Sequence, residues 1–131
     1  MRALFYLMVG VTGEIFYTSI KALILKRDLR LQGYTQLWVM PMYALGGVFI
    51  FEKIHIDMAG WFVGIRFLIY ALVIFTLEFI VGFLAEKIIG ECPWKYEGRW
   101  NIGTYINLPH LPFWGAAGLI FELVHNYLLT L

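Results

Sequence analysis

Charge is what this sequence has least of. Asp, Glu, Lys and Arg make up 15% of its 131 residues, against 61% hydrophobic and 18% aromatic, with a mean hydropathy of +0.75. A soluble domain carries about 25% charged and 45 to 50% apolar residues, so the apolar excess here must be covered by something other than water, and lipid is the direct answer. The formal net charge of +1 comes with no basic stripe to neutralise phosphates, which excludes a nucleic-acid partner. A single cysteine, Cys92, excludes an internal disulfide. With no His beside it in sequence, it is not read as a nucleophile.

What is present is length for about four spans of roughly 20 residues and no room for a separate soluble, ATP-binding domain. The chain is expected to be an all-α polytopic membrane protein, one integral-membrane domain over 1–131. Spans fall at 3–25, 37–51, 61–89 and 111–129. The start, Met1-Arg2 before ALFYLMVGV, is like a signal peptide, but Glu14 stands where small cleavage-site residues are wanted and the apolar pattern runs on to Leu25. A retained first span is therefore expected. Glu14, Thr18 and Lys21 share one face of that span, which should point inward. Span two, opened by Trp38 and Pro41, is short for a crossing, about 23 Å, and Glu52, Lys53, His55 and Asp57 read as the loop after it. Span three ends at Gly90, and Glu91 to Leu108 form an aromatic, glycine-rich connection in the headgroup layer or folded back on the bundle.

Basic residues fix the expected orientation. Seven, Lys21, Lys26, Arg27, Arg30, Lys87, Lys95 and Arg99, flank connections one and three, against Arg2, Lys53 and Arg66 on the other side. That bias puts these connections in the cytoplasm and both termini outside, in a plasma (inner) membrane. The halves also echo each other. GEIFYTSIKAL is answered by LEFIVGFLAEK, and PMYALGG by PFWGAAG with Pro41 over Pro112, Tyr43 over Trp114 and Gly47 over Gly118. Two related hairpins, an internal repeat in parallel orientation, are the expectation.

Carboxylates within apolar spans are costly and mark candidate sites. Depth counting puts Glu14, Glu78 and Glu122 near the middle. Arg66 with Glu52 at the outer end and Lys21 with Glu86 at the inner end are the expected ion pairs. Glu122-x-x-His125 sets two metal-capable groups one turn apart. Di-iron bundles use that motif twice with further Glu residues. One copy is recognised here, so neither a metal nor another cofactor is expected.

The combination GEIFYTS, W-x-x-P-x-Y-x-x-G with a following Glu-Lys, TLEFIVGFLAEKIIGECPWKY and PFWGAAGLIFE resembles the transmembrane protein 229 family, filed among bacterial proteins as a type IV ABC-transporter permease family. The likeness covers almost the whole chain. Its most specific piece is Glu78-Phe79 with Gly82 leading to Cys92, Pro93, Trp94 and Tyr96; Glu14, Trp38, Tyr43, Glu52, Arg66, Trp114 and Glu122 also match. Where that family usually has Asp between the loop Trp and Tyr, this chain has Lys95.

The resemblance implies a multi-pass membrane protein whose biochemical role is poorly defined. The residues suggest a small transporter or permease-like protein in which Glu14, Glu78, Glu122, Arg66 and Tyr43 bind a cationic or protonatable solute. Trp94, Tyr96, Arg99 and Trp100 form a gate or an interfacial loop. The alternative is a non-catalytic structural or regulatory subunit binding lipid or a partner protein; an intramembrane enzyme is the weakest reading. Membrane lipid is one expected partner. A second copy is another, in a homodimer or larger homo-oligomer with small residues of spans two and four at the contacts.

Overall fold

A computed structural model describes all 131 residues. Its long elements are α1 (Arg2–Lys26), α2 (Leu37–Asp57), α3 (Val63–Ile89) and α4 (Leu111–Thr130). Between α3 and α4, the short antiparallel strands β1 (Asn101–Ile102) and β2 (Ile106–Asn107) form a hairpin, followed by a 3₁₀ turn at Leu108–His110. α1 stops where Arg27 turns left-handed at φ 50°, and α3 where Gly90 does so at φ 91°, a conformation glycine adopts without strain.

α2 is the irregular helix. It opens with a 3₁₀ turn at Leu37–Val39, carries Pro41 in its first α turn, widens to π geometry over Gly46–Phe51 and returns to α over Glu52–Asp57. It therefore reaches well past residue 51. The charges of Glu52, Lys53, His55 and Asp57 suggested a loop, but Glu52 is buried and the segment is helical. The full element has 21 residues, long enough for a crossing of about 30 Å.

Only 26 of 131 residues are buried, while Leu4, Phe16, Phe49, Leu72, Leu84 and Leu123 are among many large apolar side chains left exposed. An exterior of this kind belongs in lipid. α1, α2 and α3 are each long and apolar enough to cross a membrane. α4 has 20 residues, but Glu122, His125 and Asn126 lower its apolarity. It packs along α3, as α2 packs along α1, and α1 also touches α4.

Aromatic rings seated on glycines set these contacts. Tyr6 of α1 lies on Gly47 of α2, and Tyr70 of α3 lies on Gly118 of α4; Tyr43 covers Gly10, and Phe67 covers Gly115. The glycine faces expected at contacts with another copy are thus filled from within the chain. Overpacking such seats costs about 1 to 3 kcal/mol. Gly47→Val and Gly118→Val should each lower the thermal midpoint of the protein in lipid nanodiscs, followed by tryptophan fluorescence. Gly13→Ala, where an added methyl meets nothing, should leave it unchanged or raise it.

Candidate functional site

Two polar clusters occupy opposite ends of the bundle. The first is a chamber of about 280 Å³ whose lining includes Glu14, Thr18 and Lys21 of α1, Glu78 of α3, Trp94 and Tyr96 of the aromatic connection, and His110 and Trp114 at the start of α4. The connection after α1 reaches it because Thr18 and Ser19 hold that segment back on the helix. Thr18 Oγ1 accepts from the Tyr34 backbone N–H at 2.9 Å, and Ser19 Oγ donates to the Leu31 carbonyl at 2.8 Å. Thr35 thereby donates to Glu14 Oε2, while Tyr43 donates to Glu14 Oε1 at 2.7 Å.

The aromatic connection closes the chamber from the α3 side. Tyr96 donates to Glu78 Oε1 at 3.0 Å, Trp94 Nε1 donates to the Tyr105 carbonyl at 3.0 Å, and Tyr105 donates to Glu86. Gly82 leaves the space for this fold-back, since a methyl there would press on Tyr105, Cys92 and Trp94. Burial and the neighbouring Glu78 carboxylate raise the Tyr96 pKa, so it stays a donor. Burial likewise pushes the Cys92 thiol up, which keeps it unreactive.

The chamber is polar but incompletely satisfied. Its lining residues own every buried side-chain nitrogen or oxygen without a hydrogen-bond partner: Gln36 Oε1, Glu78 Oε2, both ring nitrogens of His110 and Trp114 Nε1. A buried polar group left unpaired costs about 1 to 3 kcal/mol, so their concentration in one cavity marks a place where a polar guest, water or solute, is wanted. Neither Glu14 nor Glu78 has an ion-pair partner in the chain.

The second cluster braces the other end. Arg2 and Tyr6 of α1 hold Glu52 of α2, at 3.2 and 3.0 Å. Arg66 and Tyr70 of α3 hold Glu122 of α4, with Arg66 Nε 2.9 Å from Oε1. The histidines cross over. His125 Nδ1 lies 3.0 Å from the Tyr6 hydroxyl, and His55 Nδ1 lies 3.3 Å from that of Tyr70. Because each hydroxyl gives its one proton to a carboxylate, each imidazole must donate to it through Nδ1. The two imidazole rings sit 5.1 Å apart.

The expected residues therefore divide. Glu14, Glu78, Tyr43, Trp94 and Tyr96 gather at the chamber, whereas Glu122 and Arg66 belong to the far cluster. Arg99 and Trp100 are exposed, the guanidinium 5.9 Å from the indole centroid, and do not line the chamber. The expected ion pairs are replaced. Arg66 takes Glu122, Glu52 takes Arg2, Glu86 takes Tyr105, and Lys21 stands over the Tyr17 ring. Thr35, Gln36 and His110 had no sequence signal. A second Glu-x-x-His did: Glu52-Lys53-Ile54-His55 repeats Glu122-Leu123-Val124-His125, masked by the loop-like charge of that segment. Arg2 and Arg66 occupy the carboxylates that a di-metal centre would need.

The family model described as "Putative ABC-transporter type IV" matches residues 3–131. No solved structure matches the chain.

Burial, and secondarily the charge of Lys21, lower the His110 pKa to about 4, below the usual value near 6.5. The unfolded chain thus takes the proton first as pH falls. The contribution of His110 to stability should be level above about pH 6.5, decline between about 6.5 and 4 by at most about 3 kcal/mol, and be level again below, with the acids adding their own dependence at lower pH. Denaturation midpoints against pH should show this decline in the parent protein and a shallower one in His110→Phe.

Proposed function

The chain belongs to this ABC-transporter type IV family, and on that premise we propose that it is a small transporter or permease-like membrane protein whose chamber binds a cationic or protonatable solute between Glu14 and Glu78. The observation that carries the reading is the gathering of all the unpartnered buried polar atoms around one cavity that also holds two acids without counter-ions. A cation entering there would meet both carboxylates among the aromatic residues Tyr17, Tyr96 and Trp114, a combination that suits an ammonium head. Tyr96 and Trp94 act as the gate, because the connection that carries them closes over Glu78.

Four spans built as two related hairpins are part of the same proposal. Arg2, Tyr6 and Glu14 recur at one constant spacing as Arg66, Tyr70 and Glu78, and Glu52 and His55 recur as Glu122 and His125. Between Gly47 and Glu52, α2 holds one residue more than α4 does between Gly118 and Glu122, and the π segment lies where that residue must be taken up. The likeness to the transmembrane protein 229 family rests on the Glu78-to-Tyr96 motif, whose residues line or support the chamber. Four helices enclose a narrow path at best, so a homodimer or larger assembly with both termini outside completes the proposal.

The far cluster, where every acid is paired, favours a second reading, a non-catalytic structural or regulatory subunit. One experiment separates them. In phosphatidylcholine vesicles, Glu78→Gln should reduce tetramethylammonium binding and flux at least tenfold while the thermal midpoint stays within a few degrees. A parent protein that neither binds nor moves the cation, with Glu78→Gln losing stability alone, would assign Glu78 to the structural role.

A further inference from the structure

The chamber does not stand alone. An apolar groove of about 470 Å³ runs between α1 and α4, lined by Phe5, Met8, Gly13, Phe16, Ala117 and Ile120 among others. Met8, Phe16 and Ile120 are exposed on the lipid-facing surface, so the groove lies where hydrocarbon can reach it. Phe113 and Trp114 belong to the walls of both spaces. Gly13 lines the groove while the next residue, Glu14, lines the chamber. Tyr43 joins the two, its ring in the groove and its hydroxyl on Glu14.

On α1 the groove covers Phe5 to Phe16, about 17 Å at helical rise, and the chamber covers Glu14 to Lys21. The acids therefore lie at the junction, with a hydrocarbon track leading away toward the Arg2 end and a polar space on the other side. The two lysines of the chamber, Lys21 and Lys95, are exposed at its rim, and Lys95 is paired with Glu91 at 3.4 Å. A guest that carries positive charge at one end and hydrocarbon beyond it matches this sequence of surfaces. A phospholipid does not, because its terminal ammonium and its tails lie on opposite sides of the phosphate.

We infer that the solute is a single-chain cationic amphiphile, its ammonium head between Glu14 and Glu78 and its tail in the α1–α4 groove, an inference that rests on the carboxylate chamber proposed above. The groove adds little hydrophobic gain, since the tail leaves lipid for an equally apolar wall. What it supplies is passage. A tail that stays in hydrocarbon avoids a penalty of about fourfold in partition for every methylene drawn through water. Filling the groove should then exclude tailed cations by steric conflict and leave the head site untouched.

The test uses the full chain in phosphatidylcholine nanodiscs, with decyltrimethylammonium and tetramethylammonium as probes, followed by native mass spectrometry and by Trp94 and Trp114 fluorescence. Gly13→Leu enters space where an added Cβ meets nothing, and Ile120→Trp fills the opposite wall. Each should weaken decyltrimethylammonium binding at least tenfold without changing tetramethylammonium binding or the thermal midpoint. Glu78→Gln should weaken both probes. If the groove variants bind the tailed cation as the parent does, the inference fails while the chamber stands. If the parent binds neither probe, the chamber reading fails with it. A dimer that either groove variant dissociates would assign the groove to a second copy and overturn the inference.

Discussion

A charge placed among apolar helices has to be answered, and the two ends of this bundle answer it differently. At the Arg2 end each carboxylate receives a guanidinium and a phenol, so that two acids face two arginines. At the chamber end Glu14 and Glu78 receive hydroxyls, from Thr35, Tyr43 and Tyr96, and no guanidinium. Hydroxyls can satisfy either protonation state of an acid, whereas an arginine commits it to the charged form. That contrast separates the two clusters.

The glycine seats make the contrast geometrically possible. Tyr6 and Tyr70 reach across to Glu52 and Glu122 because Gly47 and Gly118 let their rings lie against the backbone of the next helix. Tyr43 reaches Glu14 in the same way, over Gly10. In lipid, where helix association draws on close packing and interhelical hydrogen bonds, one residue type here provides both. The ring fills the seat and its hydroxyl makes the bond.

Much of this was visible in the sequence, for a definite reason. Glu14 and Glu78 stand out because ionisable residues are rare in apolar runs, and the Gly82-to-Tyr96 motif marks the loop that folds back on Glu78. What could not be read was partnership. Counting depth from span ends places Glu122 beside Glu14 and Glu78, but Arg66 of α3 meets it at the other end of the bundle. Glu52 and His55 read as a loop because charge normally signals solvent, and the arginine that compensates Glu52 lies 50 positions away in sequence, at Arg2. Backbone irregularity was equally hidden. Nothing in GGVFIF announces a widened turn, although comparison of the two Glu-x-x-His motifs would have exposed the extra residue.

The crossed histidines carry one more implication. Tyr6 binds the acid of its own hairpin and the imidazole of the other, and Tyr70 does the reverse, so the halves are buttoned together twice at a single level. Prying them apart there would strand several desolvated groups at once, whereas the aromatic connection on the opposite side is held to α3 side chains by the Tyr96–Glu78 and Tyr105–Glu86 bonds. Parting the helices is thus costlier at the buttoned end than at the chamber end.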